Sequence, residues 1–591
     1  MRLLSGLGLL AASLRGLAVA QNCPFLGPAY PPATNVTALA FVSTSKAFEL
    51  ALTSALAEGE IAGNETFYAV QVYTPDSKKP IYETYHSATI QNATSQVKVG
   101  PDTVFRLYSI SKLITVYAIL AKLGDKYWDE PVAKYIPEFS HLQPGNPAHD
   151  VIWDEVTIGS LASLMSGVGR DYALNDQSAG GQPKRPGFRD IEDSDVVRCG
   201  SEGLRPCNRE ESLRDILKVW PFSSSFNTPN YSNMAFQLLA YAIENITETP
   251  FPTIVRQQLI EPLNLRHTYV TYPGNITDYA PAGGWASDFG DIAPMGGYYQ
   301  SVSDLTALGA SILNSTLLPP ATTRKWLKPL THTSSLFASI GRPWEIVRRR
   351  VPMSSTSKTT RIVDVYTKQG GGSTYTSLIA LSRDHNLGIS ILTAGPRSGD
   401  AFQVIKNLAL ETWIPAAEQA AREAANANFG GLYSLFGTNS SLEIGLHPDE
   451  PGLFMSKLVS NGTDILDLVR TLVGKQGKFG LWFYPMSLIG LAFSGTEQAF
   501  RGAFGEVGVP ADAECATWAE VDRLRYGRNP GDLAVFGVDR RGQATGVTMP
   551  MLNEGAFRKA GASGGFLEGR GNTGFPRGCD ACLPVISPTK I

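Results

Sequence analysis

Apolar and polar positions predict strands near both ends of the first 413 residues. Residues 66–73 and 81–85 carry strand-like apolar patterns and flank the turn-forming residues 75–80, which predicts an antiparallel hairpin. Apolar runs with helical spacing follow from Ser109 and fill the middle of the chain. Further strands are predicted at 362–366, 376–381 and 388–393, and a helix from about residue 401 to 413.

Shorter alternating runs follow an Ala/Glu-rich segment that ends near Asn428. They predict a second, mainly β domain at residues 428–582, with a Gly-rich tail from 561 to 578. No catalytic arrangement is visible there. A Gly-x-Ser-x-Gly match around Ser563 is typical of α/β-hydrolases, but no histidine follows it, since His447 is the last in the chain.

The first 20 residues have the pattern of a secretory signal peptide. Arg2 precedes an apolar stretch at 3–14, and small residues at 18–20 precede Gln21. The apolar stretch is too short to cross a bilayer, and no other segment offers ~18 uninterrupted apolar residues. We therefore expect a secreted, soluble chain that begins near Gln21 and has no membrane partner.

Nine Asn-x-Ser/Thr sequons support secretion and predict a glycoprotein. The sequon at Asn230 overlaps the motif Tyr231-Ser-Asn233. A glycan there would block a pocket built around this motif, so we predict that Asn230 is unmodified. The sequons lie at Asn35, Asn64, Asn92, Asn230, Asn245, Asn275, Asn314, Asn439 and Asn461.

Six cysteines suit an oxidising compartment. Cys199 and Cys207 flank a short Gly/Pro/Arg loop and are predicted to pair. We expect the others to form structural disulfides that tie the N-terminus and the C-terminal region, in pairings that the sequence leaves open. These others are Cys23, Cys515, Cys579 and Cys582.

Composition narrows the function classes. The 591 residues, 43% of them hydrophobic, can bury a large core, and the length indicates two or more domains. The net charge of −3 shows no excess of basic residues of the kind that favours nucleic-acid binding. The seven histidines lack metal-ligand spacing, so no metal and no other cofactor is predicted. The oligomeric state stays open.

A serine and a lysine three residues apart, Ser109 and Lys112, open a strongly apolar helical run. Residues at i and i+3 share a helix face, so Lys112 can reach the Ser109 hydroxyl. Burial between apolar neighbours lowers an amine pKa and makes lysine a usable base. The same spacing recurs at four other serines, of which only Ser43 is compatible with the start of a helix, so further criteria are needed.

Two later motifs supply these criteria. Tyr231-Ser-Asn233 precedes a second apolar helical run, and Lys368-Gln369-Gly370 lies between two predicted strands. The ordered set Ser-x-x-Lys, Tyr-x-Asn and Lys-x-Gly resembles the serine β-lactamase, penicillin-binding protein and esterase superfamily. With local similarities at 161–168 and 296–304, the resemblance covers residues 35–413, the expected catalytic domain.

The resemblance implies an α/β fold of the β-lactamase/transpeptidase type, in which an antiparallel sheet from both ends of the domain surrounds inserted helices. It implies that Ser109 is the nucleophile, that Lys112 and Tyr231 handle protons, and that Asn233 binds substrate or orients Lys112. Lys368 would keep Tyr231 acidic, and Gly371 would contribute an oxyanion amide together with Ser109. The C-terminal β domain resembles accessory domains of fungal secreted β-lactamase-like proteins.

Two departures from the family pattern affect substrate recognition. Gln369 replaces the usual threonine or serine, and Ser373-Thr374 replaces the usual Pro-Gly. The motif can also be read one residue later, from Gln369 to Gly371, although we prefer Lys368 as its lysine. The irregular stretch 175–211 is predicted to be a long insertion between the first two motifs, and whether it borders the pocket stays open.

The expected activity is acyl transfer from a small-molecule ester or amide through a Ser109 acyl-enzyme, as an esterase, amidase or acyltransferase, with secondary metabolism as one setting. The motifs do not decide between water and another alcohol or amine as second nucleophile. The alternative is a catalytically silent binding scaffold, which only the altered third motif supports.

Overall fold

The computed structural model describes residues 24–89, 97–140, 142, 145–174, 176–181, 186–201, 203–372, 374–492, 495–508, 517–552 and 555–561. The predicted signal peptide lies outside the described residues. So do Cys23, Cys515, Cys579, Cys582, Asn92, Ser373 and Ser563.

The chain up to residue 429 contains both helices and strands. The helices are α1 (Leu39–Ala57), α2 (Ile110–Leu123), α3 (Ile158–Ala162), α4 (Arg209–Ile216), α5 (Met234–Thr247), α6 (Phe251–Val255), α7 (Ala293–Gly296), α8 (Val302–Leu313), α9 (Pro320–Trp326) and α10 (Ser398–Phe429). The strands are β1 (Phe67–Tyr73), β2 (Tyr82–His86), β3 (Val104–Arg106), β4 (Thr268–Tyr269), β5 (Tyr299–Ser301), β6 (Thr331–His332), β7 (Ala338–Ile340), β8 (Glu345–Pro352), β9 (Thr360–Gly372), β10 (Tyr375–Ser382) and β11 (Leu387–Ala394).

The main sheet is assembled from both ends of this region, as the resemblance implies. Among the described residues it has eight antiparallel strands in the order β2-β1-β11-β10-β9-β8-β7-β6. All seven residues of β1 are buried. Its alternate side chains enter two cores, with Phe67, Ala69 and Tyr73 in one and Tyr68, Val70 and Val72 in the other. Both faces of the sheet are therefore covered, α1 and α10 packing on one and α2 and α8 on the other.

Two elements run further than the sequence pattern predicts. Strand β9 includes Lys368 and the following glycines, because these residues pair in register with β10. Helix α10 passes the predicted end at Trp413 and continues through Pro415 to Phe429. Proline costs one backbone hydrogen bond, but the Ala-rich continuation has high helix propensity and buries alanines against the cores.

The described residues from 431 to 559 form a β-barrel. The elements are β12 (Gly431–Leu435), β13 (Ser440–Leu446), β14 (Leu453–Ser460), β15 (Thr463–Asp464), α11 (Ile465–Leu472), β16 (Phe479–Ala492), β17 (Gly495–Glu506), α12 (Thr517–Glu520), β18 (Arg525–Tyr526), β19 (Asn529–Pro530), β20 (Leu533–Val538), β21 (Ala544–Thr548) and β22 (Ala556–Lys559). The pairing of β13 with β14, in addition to the sheet order β13-β12-β22-β21-β20-β17-β16-β14-β15, closes the barrel. Phe429, the last residue of α10, packs on the rings of Phe500 and Phe536 in the barrel core.

The predicted disulfide between Cys199 and Cys207 is confirmed. It closes a loop in the predicted insertion, whose described residues are irregular apart from short 3₁₀ turns and the start of α4. Helix α4 begins at Arg209 because Asn208 and Glu211 form a capping box. No helix in the described part of the chain is long and apolar enough to span a bilayer.

Candidate active site

Ser109 occupies the N-cap position of α2, but its side chain makes no capping hydrogen bond. A serine at this position usually caps the helix, so the Ser109 hydroxyl is left available for another role. The preceding residue, Tyr108, has φ of 46°, a left-handed conformation that is uncommon for a bulky side chain. Such backbone strain occurs at sites where surrounding structure enforces a geometry.

Lys112 is fully buried and its Nζ donates to three acceptors. These are Ser109 Oγ at 3.1 Å, Asn233 Oδ1 at 2.7 Å and the Met295 carbonyl at 2.7 Å. Burial lowers the pKa of Lys112 to about 8, and the Lys368 cation also lowers it, while the nearby Tyr231 oxygen opposes the shift. Lys112 is therefore poised to exchange a proton near neutral pH.

Tyr231 lies among three cations. Nζ of Lys112 and Nζ of Lys368 lie 4.9 Å and 5.2 Å from the centre of its ring, and the Arg170 guanidinium lies 4.8 Å away. Lys368 Nζ also donates to the Tyr231 hydroxyl at 3.4 Å. Burial by itself raises the pKa of Tyr231, but Lys112, Lys368 and a hydrogen bond with Ser109 outweigh it, so the net pKa is lowered.

Asn233 stands at the N-cap position of α5 without capping it. Its Oδ1 accepts from Lys112, and its Nδ2 donates to Asp171 Oδ1 at 2.8 Å. The neighbouring Ser232 accepts a capping bond from Ala235 instead. The Asn233 side chain is therefore used to connect Lys112 with Asp171, whose pKa is raised by burial.

Lys368 is fully buried on β9 and faces Tyr231. Glu345 on β8 accepts from Lys368 Nζ at 2.6 Å and from the backbone N–H of Gln369 at 3.0 Å. Burial alone lowers the pKa of Lys368, but Glu345 and Tyr231 raise it overall, so Lys368 stays charged. The Gln369 side chain instead approaches Lys406 of α10, with its Oε1 3.5 Å from Nζ.

Glycines let β9 lie directly against the turn that carries Ser109. A Cβ on Gly370 would come within 1.9 Å of the Leu107 carbonyl oxygen and 2.8 Å of the Ser109 amide. A Cβ on Gly371 would meet nothing closer than 3.8 Å. Position 370 therefore has no space for any side chain, whereas position 371 can hold one.

This difference defines a matched pair of variants. We expect Gly370→Ala to displace the turn that carries Ser109 and to lower activity at least about tenfold, since a small misplacement is costly in catalysis. Gly371→Ala is expected to retain most activity, because its backbone amide stays in place. Steady-state kinetics on both variants tests this, and equal activity of the two would contradict it.

Residues 57–412, more than half of the chain, match the family described as Beta-lactamase. The chain belongs to this β-lactamase family. Residues 421–560 match a second family, described as Beta-lactamase-like-like, C-terminal domain. The family match and the observed architecture confirm the expected β-lactamase/transpeptidase-like fold with a C-terminal β domain.

Relatives of this β-lactamase-family protein include fungal proteins. A β-lactamase-like protein of Arthroderma benhamiae is 29% identical over 534 residues, covering 84% of this chain and 88% of the relative. A probable hydrolase of a Phoma species is 27% identical over 445 residues, covering 71% of each. A D-stereospecific amidohydrolase from a Streptomyces species is 20% identical, with a TM-score of 0.45, covering 60% of this chain and 97% of that chain. The β-lactamase-like family to which the chain belongs is a family of hydrolases.

The structure brings five of the predicted site residues together through hydrogen bonds and a contact between Lys112 Nζ and the Tyr231 ring. They are Ser109, Lys112, Tyr231, Asn233 and Lys368. Gly370 underlies it, and Gly371 follows on β9. Sequence reasoning missed the residues that support the group from other elements. These are Glu345, Asp171 and Arg170.

One group of metal-ligand side chains comes within 4.8 Å in the described part of the chain: Cys199, Cys207 and Glu211. Its two sulfurs are joined in the disulfide, and the Glu211 carboxylate accepts from Arg205 and the Asn208 amide. Because these side chains already have other partners, they do not form a site for a metal ion.

The sequon at Asn230 differs from its neighbours in burial. Asn230 is 8% exposed and its Nδ2, the atom that a glycan would modify, donates to the Val168 carbonyl at 2.8 Å. The other sequon asparagines in the described residues are exposed. We predict that peptide mapping of the protein from a eukaryotic secretory host finds glycan on exposed sequons and none at Asn230. A glycan at Asn230 in folded, active protein would contradict this.

Proposed function

We propose that the protein is a secreted serine hydrolase or acyltransferase that forms an acyl-enzyme at Ser109 on an ester or amide of a small molecule. One observation carries the proposal. Lys112 is fully buried, its pKa is lowered to about 8, and its Nζ lies 3.1 Å from Ser109 Oγ, which does not cap α2. Lys112 also lies beside Tyr231, whose pKa is lowered. A binding scaffold has no physical need for this combination.

In the proposed acylation, Ser109 Oγ attacks the substrate carbonyl while its proton passes to the Lys112–Tyr231 pair. Lys112 has three acceptors for three ammonium protons in the resting state. Its pKa of about 8 leaves roughly one molecule in ten neutral at pH 7. Because Lys112 and Tyr231 each shift the pKa of the other, we treat them as one base, whichever member holds the proton.

The tetrahedral intermediate then collapses, and the bond from the carbonyl carbon to the leaving group breaks. Tyr231 returns the proton to the leaving oxygen or nitrogen. The amides of Ser109 and Gly371 are the proposed donors to the oxyanion, a contribution of about 3 kcal/mol for each donor. Water or another alcohol or amine then attacks the acyl-enzyme, and the same pair takes its proton.

This mechanism predicts a rate that rises with pH. A base whose pKa is lowered to about 8 is protonated and inactive below that pH, so the acylation rate should rise about tenfold per pH unit up to roughly pH 8 and level off above it. The second-order rate constant for labelling by a fluorophosphonate probe, measured from pH 5.5 to 9.5, reports this rising limb of the pH–rate profile directly.

The control is Tyr231→Phe, which removes one member of the pair and the oxygen that raises the pKa of Lys112. Because the Tyr231 oxygen raises the pKa of Lys112, the limb of the variant should move to lower pH as its rate falls. A limb that stays at the same pH in Tyr231→Phe would contradict the coupling of these groups.

The proposal is tested by intact mass. Deglycosylated wild-type protein is incubated separately with a fluorophosphonate and with a β-lactam, and the modified peptide is mapped. We expect one added probe on the peptide that contains Ser109. Absence of any adduct with several probes, in protein shown to be folded, would favour the binding scaffold that the altered Gln369 motif supports.

A further inference from the structure

A cavity of about 260 Å³ lies at the opposite end of α2 from Ser109. Leu120 of α2 and Trp128, which follows the helix, contribute to its wall, and α9 and the segment after it form the other side. Leu120 comes eleven residues after Ser109, which places it ~16 Å away along the helix axis at 1.5 Å per residue. The cavity is therefore separate from the catalytic group.

Cations outnumber anions around this cavity. Lys325, Lys328 and Arg342 line it together with a single acid, Asp125. Asp125 is already paired with Lys325 at 2.6 Å. Among the described residues no hydrogen bond or ion pair reaches the side chain of Lys328 or Arg342, and the Arg342 Nε is buried without a partner. Acids act on these two charges only from beyond ion-pair distance: Asp129 and Asp125 on Arg342, and Asp364 and Asp384 on Lys328. Both side chains therefore lie at the cavity without an ion-pair partner among the described residues.

The environment of Arg342 disfavours its own charge. Burial lowers the pKa of Arg342, although Asp129 and Asp125 oppose the shift. The guanidinium has the Trp128 ring 5.6 Å away and, among the described residues, no carboxylate within ion-pair distance. A partly buried, unpaired guanidinium gains from any anion that replaces its lost hydration. The planar guanidinium fork matches a carboxylate in particular.

The remaining wall is apolar. Leu120, Trp128, Trp326 and Leu330 face the cavity beside the cations. The volume is slightly below the roughly 300–1,000 Å³ of pockets for drug-sized ligands, which fits a ligand of one or two rings.

We propose that this cavity binds a small aromatic carboxylate, with its carboxylate group at Arg342 and Lys328 and its ring against the tryptophans and leucines. The site is independent of the chemistry at Ser109. It gives this chain a second small-molecule site, at the far end of the helix that carries the nucleophile.

Isothermal titration calorimetry of the full chain with 1-naphthoate, and with the neutral 1-naphthamide, tests the proposal. We expect 1-naphthoate to bind with a Kd below about 1 mM and 1-naphthamide to bind at least about tenfold more weakly. Arg342→Gln should weaken 1-naphthoate binding at least about tenfold. Arg324→Gln is the matched control, because Arg324 is an exposed arginine of α9 that does not line the cavity.

Lys328→Gln is a second test that still applies if the Arg342→Gln variant does not fold. Lys328 is solvent-exposed, so its replacement should leave folding intact and still weaken 1-naphthoate binding several-fold. Three results would each overturn the proposal: no binding of 1-naphthoate at 10 mM, about equal binding of 1-naphthamide, or a Kd that neither Arg342→Gln nor Lys328→Gln changes. A probe that bound beside Ser109 instead of in this cavity would also give a Kd that neither substitution changes.

Discussion

Ser109→Ala is expected to lower turnover at least about 10³-fold and to abolish formation of the covalent adduct, because the variant lacks the hydroxyl that we propose as the nucleophile. Lys112 Nζ would lose one of its three acceptors but keep Asn233 and Met295, so the variant should fold. Intact mass after probe treatment and kcat/KM on an ester substrate are the measurements.

Ser43→Ala is the matched control, since Ser43 belongs to another Ser-x-x-Lys match. Ser43 is exposed on α1 and its hydroxyl donates to the Leu39 carbonyl, so the variant should label and turn over like wild type. The double variant Ser109→Ala/Lys112→Met should lose no more activity than Ser109→Ala, because residues that act as one unit are not additive. A Ser109→Ala protein that still forms the adduct would disprove the assignment.

The second large effect concerns stability. Glu418 of α10 accepts from Arg361 Nη2 on β9 at 2.7 Å and pairs with His385 Nε2 at 2.7 Å. Arg361 also donates to Asp384 at 2.8 Å. The side chains of Arg361 and Glu418 are 3% and 2% exposed. This buried network ties α10, which continues into the barrel core, to the main sheet.

Glu418→Gln should lower the free energy of unfolding by about 3–5 kcal/mol at pH 7, because it leaves the Arg361 charge buried without its main counter-ion. Urea unfolding followed by fluorescence measures the change. Glu423→Gln on the exposed face of the same helix is the control and should change stability by at most about 0.5 kcal/mol. Equal effects of the two substitutions would contradict a stabilising network.

The effect of Glu418→Gln should also depend on pH. Burial raises the pKa of Glu418, but Arg361 and His385 outweigh it and lower the pKa from 4.5 to about 2. A carboxylate with a lowered folded-state pKa stabilises the protein fully above its unfolded pKa and loses this contribution as pH falls towards the folded value. The difference between wild type and the variant should therefore be constant above about pH 5 and shrink from pH 4.5 towards pH 2.

Much of the candidate site followed from short sequence motifs. Ser109 and Lys112 are three residues apart on one helix, so local backbone geometry brings them together. Tyr231 and Asn233 were recognised through their order and through the apolar helix that follows. The alternative reading of the third motif, from Gln369, is disfavoured because Lys368 faces Tyr231 and the Gln369 side chain faces Lys406.

The supporting residues could not be found in this way. Glu345 holds Lys368 and the Gln369 amide only because β8 and β9 pair with Glu345 opposite Thr367. Asp171 reaches Asn233 from an irregular loop. Single carboxylates on a strand or loop resemble many exposed ones, so no local pattern singled them out.

The sequence by itself determined the elements whose signals are local: the β1–β2 hairpin, the start of α2, the short loop between Cys199 and Cys207, and the presence of a β-rich C-terminal region. Only the tertiary structure decided that α10 continues to Phe429, that the C-terminal strands close into a barrel, and that Lys112 is buried enough for its pKa to fall to about 8. Local signals depend on periodicity and spacing along a few residues. Burial, register and pKa depend on partners far along the chain, such as Asn233, 121 residues after Lys112, and only packing brings these partners together.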